Sequence, residues 1–240
     1  MLSLPQNNGA TNHRLSERLF AIANALPRGG VICDVGSDHG LLPLFLLRED
    51  RCERCIVTDL NPLPLKRAEM NLREAGVVHR AKFLLSDGIR DVFQDSPDAI
   101  VIAGMGGETI AGILERELAR IPTGMQFVLQ PMTKEPLLRR FLYVNGFRIQ
   151  NETVVCENKK SFLILSVSYD SSPAPKEEFI YWIGEHLSPY EDSVKIYFRK
   201  LLNSLQVRAV GKESVGTKAD EERFLEQKII DFLEAKYDNQ

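Results

Sequence analysis

A chain of 240 residues that is 44% hydrophobic is long enough to bury one sizeable core and a small appendage. Its net charge of −3 excludes a protein that is basic over its whole surface, although 30 lysines and arginines leave room for a local basic patch. No apolar run approaches the ~20 residues that span a bilayer, and the N-terminal region lacks the apolar core of a signal peptide. A cytoplasmic protein without a membrane partner is therefore expected.

The four cysteines are Cys33, Cys52, Cys55 and Cys156. Cys52 and Cys55 have C-x-x-C spacing, but no second pair and no histidine cluster accompanies them in the sequence. Free thiols in a reducing compartment, and no bound metal, are therefore predicted. A metal or redox role for the pair is the alternative.

Helices and strands alternate regularly through the first 145 residues. Apolar residues at helical spacing between Leu15 and Leu26 predict a first helix, which the turn at 27–30 ends. Short apolar runs predict strands at 31–35, 54–58, 82–85, 99–103 and 126–130. Each strand precedes a segment compatible with a helix, at 41–48, 62–75, 88–92, 107–119 and 134–145. This alternation predicts a doubly wound parallel α/β sheet with right-handed crossovers.

The pattern changes after Gly146. Residues 147–157 and 161–169 read as two strands that close the sheet, giving a Rossmann-like methyltransferase sheet of seven strands with the last one antiparallel. A linker is predicted at 171–175. Amphipathic segments at 187–205 and 224–233, with turn signals at 207–216, then predict a helical hairpin that resembles a short antiparallel coiled coil. The predicted domains are therefore 1–170 and 171–240.

A glycine turn follows the first strand and precedes a helix, which is the arrangement of a nucleotide-sized pocket. Gly36 and Gly40 allow backbone N–H groups to approach a ligand closely. Asp34 and Asp38 argue against a pyrophosphate, and the segment contains neither a P-loop nor G-x-G-x-x-G. A cationic or zwitterionic nucleoside fits better, and S-adenosylmethionine is the common one.

The carboxyl ends of the strands carry the other candidate residues, because ligands bind at that edge of such a sheet. Asp59 is placed to accept hydrogen bonds from ribose hydroxyls, and Asp87 to accept the amine of an adenine. The predicted cofactor-binding residues are Gly36, Ser37, Asp38, His39, Asp59, Leu60, Asn61, Asp87, Gly88, Gly104 and Met105. The predicted catalytic residues are Asp38, Gly104, Met105 and Gln130, with Met132 at the base pocket and Glu108 as a second candidate carboxylate.

Each of these residues also has a structural interpretation. Asp59 could cap the following helix, and Asp87 with Gly88 is an ordinary turn dipeptide. His39 could be a structural residue at a helix start. Four acidic or glycine-rich strand ends at one edge nevertheless favour a cofactor site over any of these interpretations taken singly.

Three motifs carry a resemblance to a known family. Residues 34–39 (DVGSDH), 103–110 (AGMGGETI) and 129–131 (LQP) resemble the bacterial tRNA (adenine(22)-N(1))-methyltransferase family, and the resemblance covers nearly the whole chain. It implies a Rossmann-like methyltransferase domain followed by a helical hairpin. It also implies S-adenosylmethionine as cofactor, tRNA as partner, and methyl transfer to N1 of adenosine 22.

Phosphate contacts to tRNA would use lysine and arginine. The candidates are Arg14, Arg18, Lys134, Arg139, Arg140, Lys159, Lys160, Lys195, Arg199, Lys200, Arg208, Lys212, Lys218 and Arg223. The hairpin could grip tRNA or mediate self-association. Two other functions stay open: a methyltransferase of the same fold that acts on a small molecule or protein, and a nucleotide-binding module without catalysis.

Overall fold

A computed structural model of the chain describes residues 15–37 and 39–234. Seven strands in this part of the chain form one sheet. They are β1 (Val31–Val35), β2 (Arg54–Asp59), β3 (Ala81–Leu85), β4 (Ala99–Met105), β5 (Gln126–Pro131), β6 (Phe147–Glu157) and β7 (Lys160–Tyr169). Their order is β3-β2-β1-β4-β5-β7-β6. The first five are parallel, and β7 enters antiparallel to both β5 and β6. The predicted methyltransferase-type sheet is confirmed.

Helices cover both faces of the sheet. They are α1 (Glu17–Ala25), α2 (Leu41–Arg48), α3 (Pro62–Glu74), α4 (Gly107–Glu117), α5 (Glu135–Val144), α6 (Glu178–Ile183), α7 (Asp192–Ser214) and α8 (Asp220–Glu234). Short 3-10 turns occur at Val78–Arg80, Val92–Asp95 and Leu118–Arg120. Because side chains alternate along a strand, each strand contributes to two cores.

The two cores belong to different helices. On one face, Ile32 and Val101 pack with Ile22 of α1, Leu46 of α2 and Leu72 of α3. On the other face, the sheet packs against α4, α5 and the three C-terminal helices, with Ile110, Leu138, Tyr197, Leu225 and Ile229 in one continuous cluster. The α7–α8 hairpin is therefore packed against the sheet instead of projecting alone.

The structure differs from the sequence-based expectation at three places. No helix occupies 88–92, where the chain makes a turn before the 3-10 segment Val92–Asp95. The helix α6 was not predicted, because six residues are too few to show helical periodicity. The turn expected at 207–216 begins only after Ser214, since α7 continues through Gly211. Burial of Ala209 and pairing of Lys212 with Glu222 of α8 at 2.6 Å favour the longer helix.

A buried ion pair joins the C-terminal helices to the sheet. The Arg139 guanidinium of α5 donates to the Glu152 carboxylate of β6 at 2.7 Å, and both side chains are completely buried. Arg139 also donates to the carbonyl of Tyr181 and to the hydroxyl of Tyr197. Burial disfavours the charge of Arg139, but Tyr197 and Glu152 outweigh that effect and raise its pKa.

The described residues include no helix long and apolar enough to cross a membrane. Cys52 and Cys55 are buried free thiols whose sulfur atoms lie 3.4 Å apart. Over the ranges 15–37 and 39–234, no cluster of three or more His, Cys, Asp or Glu could hold a metal ion.

Candidate functional site

The turn after β1 is the centre of the candidate site. Gly36 donates its N–H to the carbonyl of Thr58 at 2.8 Å, and Ser37 donates to the same oxygen at 3.2 Å. These bonds hold the turn against the end of β2. Gly36 has a φ of +72°, and a Cβ there would collide with the terminal methyl group of Met105. The backbone conformation therefore favours glycine here, and a larger residue would also have to displace the Met105 methyl group.

The following residues lead into α2. Asp38, a predicted cofactor and catalytic residue, lies outside the described residues. His39 is exposed with a φ of +61°, and its carbonyl accepts a hydrogen bond from the Asn71 side chain at 2.8 Å. Gly40 begins α2 with a φ of +65°, and a Cβ there would lie 2.8 Å from the Cβ of Ala68. The turn is thus fixed by close packing against α3.

Polar side chains are buried at the same point of the sheet. Asp34 on β1 is 7% exposed, and burial raises the pKa of its carboxyl to about 6. The hydroxyl of Ser37 interacts with the Asp34 carboxyl and partly offsets that rise, although no hydrogen bond of ordinary geometry joins them. The hydroxyl oxygen of Thr58 is buried without a hydrogen-bond partner among the described residues. Buried hydroxyls of native proteins are nearly always satisfied, so Thr58 and the loosely held Ser37 have capacity for a polar ligand.

The end of β2 presents three predicted residues together. Asp59 is half-buried, and its Oδ1 accepts the N–H of Asn61 at 2.8 Å. Asn61 is the N-cap of α3, but its own side chain makes no capping bond. Leu60 between them is 65% exposed. Asp59 therefore organises the local turn through one oxygen, which leaves its other oxygen for a ligand.

Asp87, predicted to receive the adenine amine, lies after β3. Its carboxylate is exposed and pairs with Arg116 of α4 at 3.0 Å. Gly88 has a φ of +68°, and a Cβ there would lie 2.8 Å from the Ile113 side chain. The turn is thus packed on α4, and Asp87 would have to share its charge between Arg116 and a ligand.

The end of β4, where the register shifts at Gly104, and the turn that follows it lie against the loop after β5. This strand end and turn together are called the Gly104 loop. The N–H of Met132 donates to the Met105 carbonyl, and the N–H of Gly107 donates to the Thr133 carbonyl, both at 2.8 Å. A Cβ on Gly107 would approach the Lys134 carbonyl to 2.5 Å. Gly104, with a φ of +77°, is exposed at the top of this loop. Backbone therefore forms this part of the site.

Gln130 is completely buried beneath the same loop. Its side-chain oxygen accepts the N–H of Gly104 at 3.2 Å and the Arg18 guanidinium at 2.8 Å. Its side-chain nitrogen donates to the Pro131 carbonyl at 2.7 Å. Gln130 therefore holds the Gly104 loop, and sequence reasoning missed its contact with Arg18, since the two residues lie 112 positions apart.

The structure corrects one predicted tRNA contact. Arg139 is buried in the ion pair with Glu152, so its assignment as a phosphate ligand was wrong. Its neighbour Arg140 is exposed and pairs with Glu178. Arg14 lies outside the described residues. Several other candidates form ion pairs, namely Lys134, Lys195, Lys200, Arg208, Lys212 and Arg223.

Comparisons with known proteins give the family and the fold of the chain. Residues 15–165 match the family described as a methyltransferase domain. The tRNA (adenine(22)-N(1))-methyltransferase of Bacillus subtilis (strain 168) is 26% identical over 212 residues, which are 88% of this chain and 89% of that protein.

Solved structures match over both parts of the chain. A Streptococcus agalactiae protein of the NADB-Rossmann superfamily has a TM-score of 0.81 and 31% identity, covering 94% of this chain and 99% of that one. A Streptococcus pneumoniae structure with S-adenosyl-L-methionine, a candidate tRNA (m1A22) methyltransferase, has a TM-score of 0.80 and 26% identity over 90% and 99% of the two chains. These matches confirm the resemblance seen in the sequence motifs. Since the family match spans more than half of the chain, the protein belongs to the methyltransferase domain family.

Proposed function

We propose that this protein transfers the methyl group of S-adenosylmethionine to N1 of adenosine 22 in tRNA. The observation that carries the proposal is the extent of the similarity to the Bacillus subtilis enzyme. An alignment over 88% of this chain cannot fit within residues 1–170, so it includes part of the helical hairpin as well as the sheet. A shared nucleotide-binding sheet alone would not produce that coverage.

The residues at the carboxyl edge of the sheet fit S-adenosylmethionine. Its ribose hydroxyls suit the carboxylate of Asp59, whose second oxygen is not used by the turn. Its polar amino acid portion suits the hydroxyl of Ser37, which forms no hydrogen bond of ordinary geometry with the described residues, beside Gly36, where a side chain would fill the space. The acidic character of this edge suits a ligand that carries a sulfonium and an ammonium group.

The chemistry requires positioning more than proton transfer. S-adenosylmethionine supplies an electrophilic methyl group, and adenine N1 has a lone pair that needs no deprotonation before attack. The protein therefore has to hold the base in line and exclude water. The loop with Gly104 and Met105 is suited to this, since its backbone is accessible and Gln130 fixes it from below. The base must leave its stack to reach this loop.

The tRNA contacts and the place of action belong to the same proposal. Arg199, Lys218, Lys159 and Lys160 form no ion pair with the described carboxylates and are exposed, so they can meet phosphates. Residues 1–170 would act as the methyltransferase domain and 171–240 as the helical domain that grips tRNA. A protein that acts on tRNA would work in the cytoplasm, as is expected from the sequence. Self-association through the hairpin remains a prediction.

Methyl transfer to unmodified tRNA tests the proposal. The purified protein is incubated with labelled S-adenosylmethionine and bulk tRNA, and the digested nucleosides are identified by mass spectrometry. A 1-methyladenosine product is expected. Binding of S-adenosylmethionine without transfer to tRNA would contradict the proposal and favour a methyltransferase that acts on a small molecule or protein.

A further inference from the structure

Arg18 joins three elements at the reactive end of the sheet. It extends from the first turn of α1, donates to the Gln130 side chain of β5 at 2.8 Å, and stacks on the Phe162 ring of β7 with 5.7 Å to the ring centre. A Cβ built on Gly104 would lie 3.5 Å from the same guanidinium. The arginine is thus fixed beside the loop assigned to the target base.

The orientation of the Gln130 amide is determined by its partners. The N–H of Gly104 and the guanidinium of Arg18 are both donors, so they require the oxygen. The Pro131 carbonyl is an acceptor, so it requires the nitrogen. Both ends of the Gln130 amide are therefore engaged, and Gln130 supports Arg18 and the Gly104 loop. The Arg18 guanidinium still has N–H groups that can donate to a ligand.

Arg18 differs from other cations near this edge of the sheet, whose charges are compensated by carboxylates. Lys134 pairs with Glu108 at 3.4 Å, and Arg116 pairs with Asp87 at 3.0 Å. Among residues 15–37 and 39–234, no carboxylate pairs with Arg18, whose single hydrogen-bond acceptor is a neutral amide. Its side chain is half-buried, so the remaining N–H groups reach solvent. A guanidinium with unused donors and a rigid support matches a phosphate.

We propose that Arg18 binds a phosphate that flanks the target adenosine and so places the base at the Gly104 loop. This inference rests on the proposed function, because it takes tRNA as the substrate. Stacking on Phe162 and the bond to Gln130 hold the guanidinium before tRNA arrives, which reduces the entropy lost on binding. Arg18 is therefore a substrate-binding residue instead of a surface cation.

The salt dependence of tRNA binding tests this role. Each phosphate contact contributes about 0.7 to 0.9 to the slope of log affinity against log salt concentration. Arg18→Gln should lower that slope by about this amount and weaken tRNA binding roughly tenfold or more. Affinity for S-adenosylmethionine should not change. Arg73→Gln is the matched control, because Arg73 is an exposed arginine of α3 paired with Glu69, and it should leave the slope unchanged.

A neutral backbone linkage gives a second test that needs no protein variant. In tRNA with a methylphosphonate on either side of adenosine 22, one of the two linkages should weaken binding by the parent roughly tenfold. The same linkage should not weaken binding by Arg18→Gln further.

The outcomes separate the two proposals. Equal binding of both neutral-linkage tRNAs and ordinary tRNA by the parent would overturn the role of Arg18, as would an unchanged salt slope in a folded Arg18→Gln. A parent that leaves adenosine 22 unmethylated would instead overturn the proposed function, whatever the Arg18 measurements give.

Discussion

Replacement of Glu152 by alanine is expected to destabilise the whole fold. The carboxylate accepts the Arg139 guanidinium at 2.7 Å through one oxygen, and the N–H groups of Glu185 and His186 at 2.9 and 3.1 Å through the other. These bonds tie β6 to α5 and to the segment that follows α6. Without Glu152, Arg139 would keep a buried charge with only neutral acceptors around it.

The magnitude follows from the burial of both partners. Removing one member of a buried ion pair costs about 3–5 kcal/mol, because the other charge is left uncompensated. For a chain of this length, that loss corresponds to a fall of roughly 6–20 °C in Tm. Glu152→Gln leaves the same Arg139 charge uncompensated but keeps an oxygen for one side of the site, so a loss near the lower end of this range, about 3 kcal/mol, is expected.

Urea unfolding can measure these losses at a well-placed probe. Trp182 is the one tryptophan of the chain, it is buried, and its carbonyl accepts a bond from Arg139. Arg73→Ala breaks an exposed pair and should cost less than about 1 kcal/mol, so it serves as the control. A Glu152→Ala variant no less stable than this control would refute the reasoning.

Three further predictions concern the cofactor edge. Asp59→Ala should weaken S-adenosylmethionine binding roughly 10- to 100-fold by calorimetry and leave tRNA binding nearly unchanged; equal loss of both would contradict its assignment. The pKa of Asp34 is raised to about 6, so the folded protein keeps this carboxyl protonated at a pH where the unfolded chain has lost the proton. The free energy of unfolding should therefore fall as pH rises from about 4 to 6. Asp34→Asn, without cofactor, should therefore gain up to about 3 kcal/mol at pH 7.5 and nothing near pH 4 in urea unfolding; a pH-independent difference would argue against burial as the cause. Gly36→Ala should weaken cofactor binding in a thermal-shift assay, because a Cβ would enter the turn that faces the cofactor, whereas Gly76→Ala, with a similar φ of +76° but open space around it, should keep cofactor binding and lose about 1–2 kcal/mol of stability; unchanged cofactor binding by a folded Gly36→Ala would contradict the place of Gly36 in the site.

The sheet could be predicted because the residues that mark each strand and each turn are neighbours in the sequence. Four buried strands and the partly exposed edge strand β3 appear in the sequence as short apolar runs, and glycines such as Gly36 and Gly40 lie at turns that need a positive φ. The predicted and observed strand bounds differ by a residue or two at most. The antiparallel pair β6–β7 that completes the sheet could also be predicted, since two segments of strand character are separated only by a short polar turn.

The features that the sequence did not predict depend on contacts between residues that lie far apart in the chain. Arg139 and Arg140 are the same residue type, but Arg139 lies on the buried face of α5, where Glu152 of β6 compensates its charge, and Arg140 lies on the exposed face. The bond between Arg18 and Gln130 likewise joins the first helix to the fifth strand. Helix α7 runs through Gly211 because α8 packs along it, and that interaction outweighs the low helix propensity of glycine.

Mapping the methylated nucleotide tests the central claim most directly. A tRNA transcript is treated with the protein and S-adenosylmethionine, and reverse transcription then locates the block that 1-methyladenosine imposes. The block should fall at adenosine 22 and disappear in a transcript with guanosine at that position. Methylation at another adenosine, or undiminished methylation of the guanosine transcript, would contradict the account.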